Sequence, residues 1–90
     1  MDKKKLLFIF NPKSGKGQIR NQLLAIVDTF VKSGYEVTIY PTQAKADAVR
    51  KVAEAADEYD LVVCSGGDGT LDEVVTGMMQ CDGIVPIGYI

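Results

Sequence analysis

The sequence predicts a parallel α/β domain of three layers, four strands alternating with three helices as βαβαβαβ, in the strand order 2-1-3-4. Three observations predict it. Residues 6–10 and 61–64 are short, uncharged apolar runs, as expected of strands buried on both faces. Between such runs, apolar residues recur at the spacing of one helical stripe. Gly-rich polar segments directly follow the first and third runs, where open parallel sheets carry their ligand loops.

The elements follow in order. Residues 6–10 form the first strand, and Asn11-Pro12-Lys13-Ser14-Gly15-Lys16-Gly17 a loop. Over residues 18–33, Ile19, Leu23, Ile26, Val27, Phe30 and Val31 keep helical spacing, and Gly34 is the expected C-terminal cap. Residues 36–40 alternate as a strand with one less buried face, stopped by Pro41. Residues 44–57 predict a helix whose face carries Val49, Val52, Ala53 and Ala56. The third strand, 61–64, runs into Gly66-Gly67-Asp68-Gly69-Thr70. The third helix then carries Leu71, Val74, Val75, Met78 and Met79 on one stripe. Thr70 and Glu73 fit a capping box at its start. Gly77 inside this helix costs roughly 1 kcal/mol against Ala, which implies a close neighbour. Residues 81–85 read as a loop and 86–90 as the beginning of a fourth strand.

Ninety residues suit one domain or part of one. With a strand as its last element, one sheet face would stay bare. The expectation is therefore an incomplete domain; a polypeptide stopping at Ile90 should be weakly stable or self-associate through an exposed sheet edge or face. The formal net charge of −2 argues against a nucleic-acid partner. Residues 1–32 hold seven Lys or Arg against two acids, and residues 33–90 hold three against ten. The basic end either attracts an anionic nucleotide or membrane surface, or is a solvated lysine face. There is no histidine, and Cys64 and Cys81 form no C-x-x-C pair, which excludes a zinc site or a His-based triad within the chain. Cys64 reads as a small core hydrophobe in a reducing cytoplasm. The apolar run 6–10 is too short for a signal peptide or membrane span.

The strand order places strands 1 and 3 side by side with connections leaving in opposite directions. Their C-terminal ends flank a topological switch point, where the loops 11–17 and 66–70 meet. The first of these loops is neither a Walker A sequence nor a dinucleotide fingerprint: Gly17 follows Gly15-Lys16, Phe10 stands where the first glycine would, and Arg20 where a third would. Yet Gly15 and Gly17 permit tight backbone, Ser14 offers a hydroxyl, and Lys13 and Lys16 offer mobile charge. Asn11 could instead tie the strand end through an Asx turn. The glycines at 66, 67 and 69 exceed what a helix cap requires, and they bring bare backbone amides near a phosphate. Asp68 suits a metal, water or ribose partner in nucleotide binding; a capping role is the alternative. Asp72 and Glu73 fit the helix dipole.

Together, Asn-Pro-x-Ser-Gly at 11–15 and Gly-Gly-Asp-Gly-Thr-Leu-x-Glu-Val at 66–74 resemble the diacylglycerol kinase catalytic-domain family, which includes bacterial lipid kinases and sphingosine kinases. The resemblance extends to Gly34-Tyr35-Glu36-Val37 and to Pro86-Ile87-Gly88-Tyr89-Ile90. It implies ATP contacts by Asn11, Pro12, Lys13, Ser14 and Gly15, by Thr42, and by Gly66, Gly67, Asp68, Gly69, Thr70, Leu71, Asp72 and Glu73. Asp68 matches the family's acid near the nucleotide phosphates, with Mg²⁺ carried by the nucleotide and no metal site within the chain. Asp72 and Thr76 depart from the asparagines common in bacterial members. The resemblance also implies a lipid substrate, diacylglycerol foremost, met at a membrane surface by a cytoplasmic, peripheral enzyme. Family members continue with a Pro-x-Gly-Thr-x-Asn segment and a β-rich second domain bearing the general base, a structural magnesium site and much of the lipid pocket. On that pattern residues 1–90 are the N-terminal nucleotide-binding part, inactive alone, with the catalytic base beyond Ile90. NAD kinase, which shares the GGDGT string, is the enzymatic alternative, and a non-catalytic binding or assembly module the other. The Asn-Pro-x-Ser-Gly loop favours the lipid kinases.

Overall fold

The computed structural model describes residues 3–13, 18–81 and 85–90. Its elements are β1 (Lys4–Phe10), α1 (Ile19–Lys32), β2 (Tyr35–Pro41), α2 (Asp47–Ala55) with a 3-10 turn (Ala56–Glu58), β3 (Leu61–Ser65), α3 (Asp68–Gln80) and β4 (Ile87–Tyr89). All four strands are parallel, in the order β2-β1-β3-β4. The expected fold and order are therefore those observed.

β1 is central because its residues can be apolar on both faces. Leu6 through Phe10 are all buried. Leu7 and Ile9, with Val62 and Cys64 of β3, pack under Ala48, Val52 and Ala56 and under Val74 and Met78 of α3. On the other face Leu6, Phe8, Phe10 and Val63 meet Ile19, Leu23, Ile26 and Phe30 of α1. Phe8 stacks on Phe10 with centroids 5.5 Å apart and meets Phe30 edge-on at 6.0 Å. Each such large side chain removed from water contributes roughly 1.5–3 kcal/mol. The three layers are α1, the sheet, and the α2–α3 pair.

Several boundaries move. α2 begins at Asp47 rather than at 44, because Ala46 adopts a left-handed backbone (φ 68°) that breaks helical continuity. Its buried face is Ala48, Val52 and Ala55, while Val49 and Ala53 are half-buried. α3 begins at Asp68 with Gly67 at its N-cap, so Thr70 lies inside the helix and the expected capping box is absent. Glu73 instead accepts a hydrogen bond from the Ala48 amide of the neighbouring helix, 3.3 Å away. Val75 and Met79 face outward, since α3 covers the sheet with one side only. β2 includes Pro41, whose missing N–H is tolerated at the end of an edge strand. Gly34 follows α1 with φ 97°, its amide bonded to the Val31 carbonyl, as expected of a C-terminal cap. The glycine inside α3 does mark a close approach. A Cβ on Gly77 would lie 2.6 Å from the Val49 carbonyl oxygen and 2.8 Å from Val52 Cβ.

Candidate functional site

The loops after β1, β2 and β3 meet at the C-terminal edge of the sheet. The Phe10↔Ser65 and Phe10↔Pro41 registers bring the three strand ends level. Beyond them the ladder continues by one bond on each side. The Asn11 amide donates to the Ser65 carbonyl (3.3 Å) and the Thr42 amide to the Phe10 carbonyl (2.9 Å). Asn11 is itself fixed by an Asx turn, its Oδ1 accepting from the Lys13 amide at 2.9 Å.

Around these ends lies a cleft of about 330 Å³ lined by Asn11, Pro12, Lys13, Thr42, Gln43, Ala44, Lys45, Thr70 and Glu73. Its chemistry is polar: two ammonium groups, two hydroxyls, two carboxamides and one carboxylate. Lys13 and Lys45 favour an anion. Glu73 does not stand free against it, since it is bonded to the Ala48 amide.

The glycine bend after β3 is held by shape. Gly66 has φ 147°, and a Cβ there would sit 2.6 Å from Thr70 Oγ1 and 3.5 Å from Asn11 Cβ. Only glycine suits both this backbone region and this gap. Thr70 is buried in consequence. The Gly66 carbonyl accepts from the Tyr89 hydroxyl at 2.8 Å, which ties the bend to the end of β4. Gly67, Asp68 and Gly69 are exposed and open α3, where first-turn amides and the helix dipole favour negative charge.

Of the residues singled out in the sequence, Asn11, Pro12, Lys13, Thr42, Thr70 and Glu73 line the cleft. Gly66, Gly67, Asp68, Gly69, Leu71 and Asp72 lie on the adjoining bend and first turns of α3 without lining it; Leu71 packs against the core instead. Ser14 and Gly15 lie outside the described residues, as do Lys16 and Gly17. Sequence reasoning missed Gln43, Ala44 and Lys45, which extend the site towards β2 and away from the β1–β3 crevice. The rule that ligands gather beyond the carboxyl ends of parallel strands applies equally to β2 and would have found them.

Behind the 42–45 segment, Asp47 Oδ2 accepts from the Gln43 amide (2.7 Å) and the Tyr40 hydroxyl (2.9 Å), and Oδ1 from Arg50 Nη2 (2.7 Å). The Gln43 amide, and next the Arg50 guanidinium, hold the Asp47 carboxyl below its ordinary pKa. The same contact with Asp47 raises the Tyr40 phenol. Burial pushes the Cys64 thiol up to about 11, so it serves as a core side chain and not as a nucleophile.

Residues 5–90 match the diacylglycerol kinase catalytic domain. The chain is 36% identical over 91 residues to a diacylglycerol kinase of Bacillus subtilis (strain 168), covering 94% of this chain and 30% of that protein. It is 36% identical over 94 residues to one of Staphylococcus aureus (strain bovine RF122 / ET3-1), covering 98% and 30%. A crystal structure of a diacylglycerol kinase from Bacillus anthracis strain Sterne superposes with a TM-score of 0.82 at 30% identity, over all of this chain and 31% of that one. The chain thus spans about a third of the length of these relatives.

Proposed function

Because the chain belongs to the diacylglycerol kinase catalytic-domain family, we propose that residues 1–90 are the N-terminal, ATP-binding part of a lipid kinase. The whole protein transfers the γ-phosphate of ATP to a lipid hydroxyl, that of diacylglycerol, at a membrane surface. The observation that carries this reading is the junction of the loops after β1 and β2 with Thr70 and Glu73 of α3 around one polar cleft flanked by Lys13 and Lys45. Phosphoryl transfer asks a protein mainly to position the reactants and neutralise charge. Asn11, Thr42 and Thr70 offer hydrogen-bonding side chains, the two lysines offer charge, and the amides at the start of α3 offer an anion site. Asn11, Pro12, Lys13, Ser14, Gly15, Thr42 and Gly66 through Glu73 make up the ATP site on this reading. The hydroxyl's proton passes to a base supplied by the second domain, beyond Ile90.

Among the described residues no three His, Cys, Asp or Glu side chains gather as a cation cage. Mg²⁺ is suited by one or two carboxylates plus substrate phosphates. The exposed carboxylate of Asp68 at the head of α3 fits an ion carried by the nucleotide. Among the described residues no helix is long and apolar enough to cross a membrane.

The full-length protein, given γ-labelled ATP with Mg²⁺, diacylglycerol in mixed micelles and NAD, should label the lipid. Asp68→Ala should lower that rate by at least ~10²-fold, the cost of losing a carboxylate that would hold the charge-neutralising ion of the nucleotide, with its thermal midpoint nearly unchanged. Label in NAD alone, or undiminished turnover in Asp68→Ala, would contradict the proposal.

A further inference from the structure

We propose that the Asp47 carboxylate is the positioning group of the nucleotide cleft, holding residues 42–45 in place as one of its walls. The inference rests on the nucleotide reading above and adds a residue outside the cleft itself.

The wall is a short segment between the end of β2 and the start of α2, and it carries Thr42, Gln43, Ala44 and Lys45. Its β2 end is secured by the Thr42 amide on the Phe10 carbonyl. Its other end passes through Ala46, whose left-handed backbone is unfavourable for a residue with a Cβ and persists only when its surroundings impose it. Asp47 imposes it from both sides of its own α-carbon. Its backbone amide donates to the Ala44 carbonyl (3.1 Å), and its side chain accepts from the Gln43 amide (2.7 Å).

The direction of the carboxylate separates this role from plain helix capping. A capping acid faces the amides of the first helical turn. Asp47 reaches back instead to Gln43 in the wall and to Tyr40 in β2, while the first-turn amide of Ala48 is taken by Glu73 of α3. The side chain is only 9% exposed, so its three donors are not interchangeable with water.

An anion in the wall of an anion cleft would repel the ligand unless neutralised. Arg50 does this at 2.7 Å and also donates to the Tyr40 hydroxyl at 3.0 Å, while Glu54 orients Arg50 from the solvent side. The cluster thus orders the wall at little electrostatic cost to the ligand. On the far side, the bond from the Ala48 amide to Glu73 joins the same end of α2 to α3. Both flanks of the cleft are therefore referenced to one helix end, and disorder there is felt as weaker ligand binding.

The test uses the full-length protein with ATP as the probe, at temperatures where each variant is fully folded. Asp47→Ala should raise the Kd for ATP roughly tenfold, the loss expected of a charge-assisted bond that orders a binding wall. Maximal rate at saturating ATP should change little, and hydrogen exchange at the Gln43 amide should accelerate while that of β1 does not. Asp47→Asn keeps an acceptor for Gln43 and should recover most of the affinity, leaving Kd about threefold above wild type. If Asp47→Ala does not fold, Asp47→Asn decides: a Kd equal to wild type overturns the proposal. Wild-type affinity in Asp47→Ala with accelerated Gln43 exchange overturns it too, and leaves the nucleotide reading standing. A wild-type protein that binds no ATP overturns both.

Discussion

Ala46 carries a backbone (φ 68°, ψ 4°) that costs a residue with a Cβ about 1–2 kcal/mol. Glycine there would remove the penalty and lose part of the gain to unfolded-state entropy. Ala46→Gly should stabilise the protein by about 0.5–1 kcal/mol, read as a rise in the midpoint of denaturant unfolding. An unchanged or lowered midpoint would mean that the methyl group makes a compensating contact. Gly66 is the opposite case at the same scale. Its φ of 147° and the gap to Thr70 Oγ1 leave no room for any other residue, and the bend it forms sets Thr70 beside the cleft. These two positions bracket the site: one strained residue behind its β2 wall, one unstrained glycine beneath its β3 side. The Thr70 hydroxyl contributes only because the Gly66 bend holds it.

At the scale of elements, the packing of α2 on α3 fixes the distance between the two flanks of the cleft. Gly77 is where they touch. An alanine in mid-helix ordinarily gains about 1 kcal/mol over glycine. Here its Cβ would meet a backbone oxygen of α2 at 2.6 Å, which a flexible side chain could evade and a carbonyl cannot. Gly77→Ala should therefore destabilise by a net ~1–3 kcal/mol, measured by thermal or denaturant unfolding; stabilisation would show that the helices can part freely.

Element boundaries were harder to read than the elements. The five-residue run of β1 is apolar throughout, so its place at the centre of a parallel sheet could be read locally. The start of α3 could not. Thr70 and Glu73 have capping-box spacing, but Glu73 is taken by the Ala48 amide, a partner 25 residues away. Of the wall at 42–45 the family resemblance marked Thr42, and Gln43, Ala44 and Lys45 went unread. Those three have no motif, and Asp47, Tyr40 and Arg50 act together only once β2 and α2 are side by side. Local signals specify strands and turns, whereas tertiary partners decide where helices begin.

For the whole molecule, the order β2-β1-β3-β4 follows from two-sided burial of the middle strands and from right-handed crossovers. It sends α1 to one face and α2 and α3 to the other. It also brings three loops to one edge, so the cleft is a product of topology more than of any single motif. The opposite, N-terminal edge has a smaller polar recess lined by Lys5, Glu36, Thr38, Glu58 and Tyr59, with two carboxylates against one ammonium.

That contrast supplies the most direct test. ATP titrated with Mg²⁺ into the isotope-labelled full-length protein should give saturable amide shifts at Asn11, Lys13, Thr42, Gln43 and Gly67 through Thr70, all with one Kd. Shifts confined to Lys5, Glu36 and Glu58, or none at saturating nucleotide, would contradict a shared triphosphate cleft at the C-terminal edge.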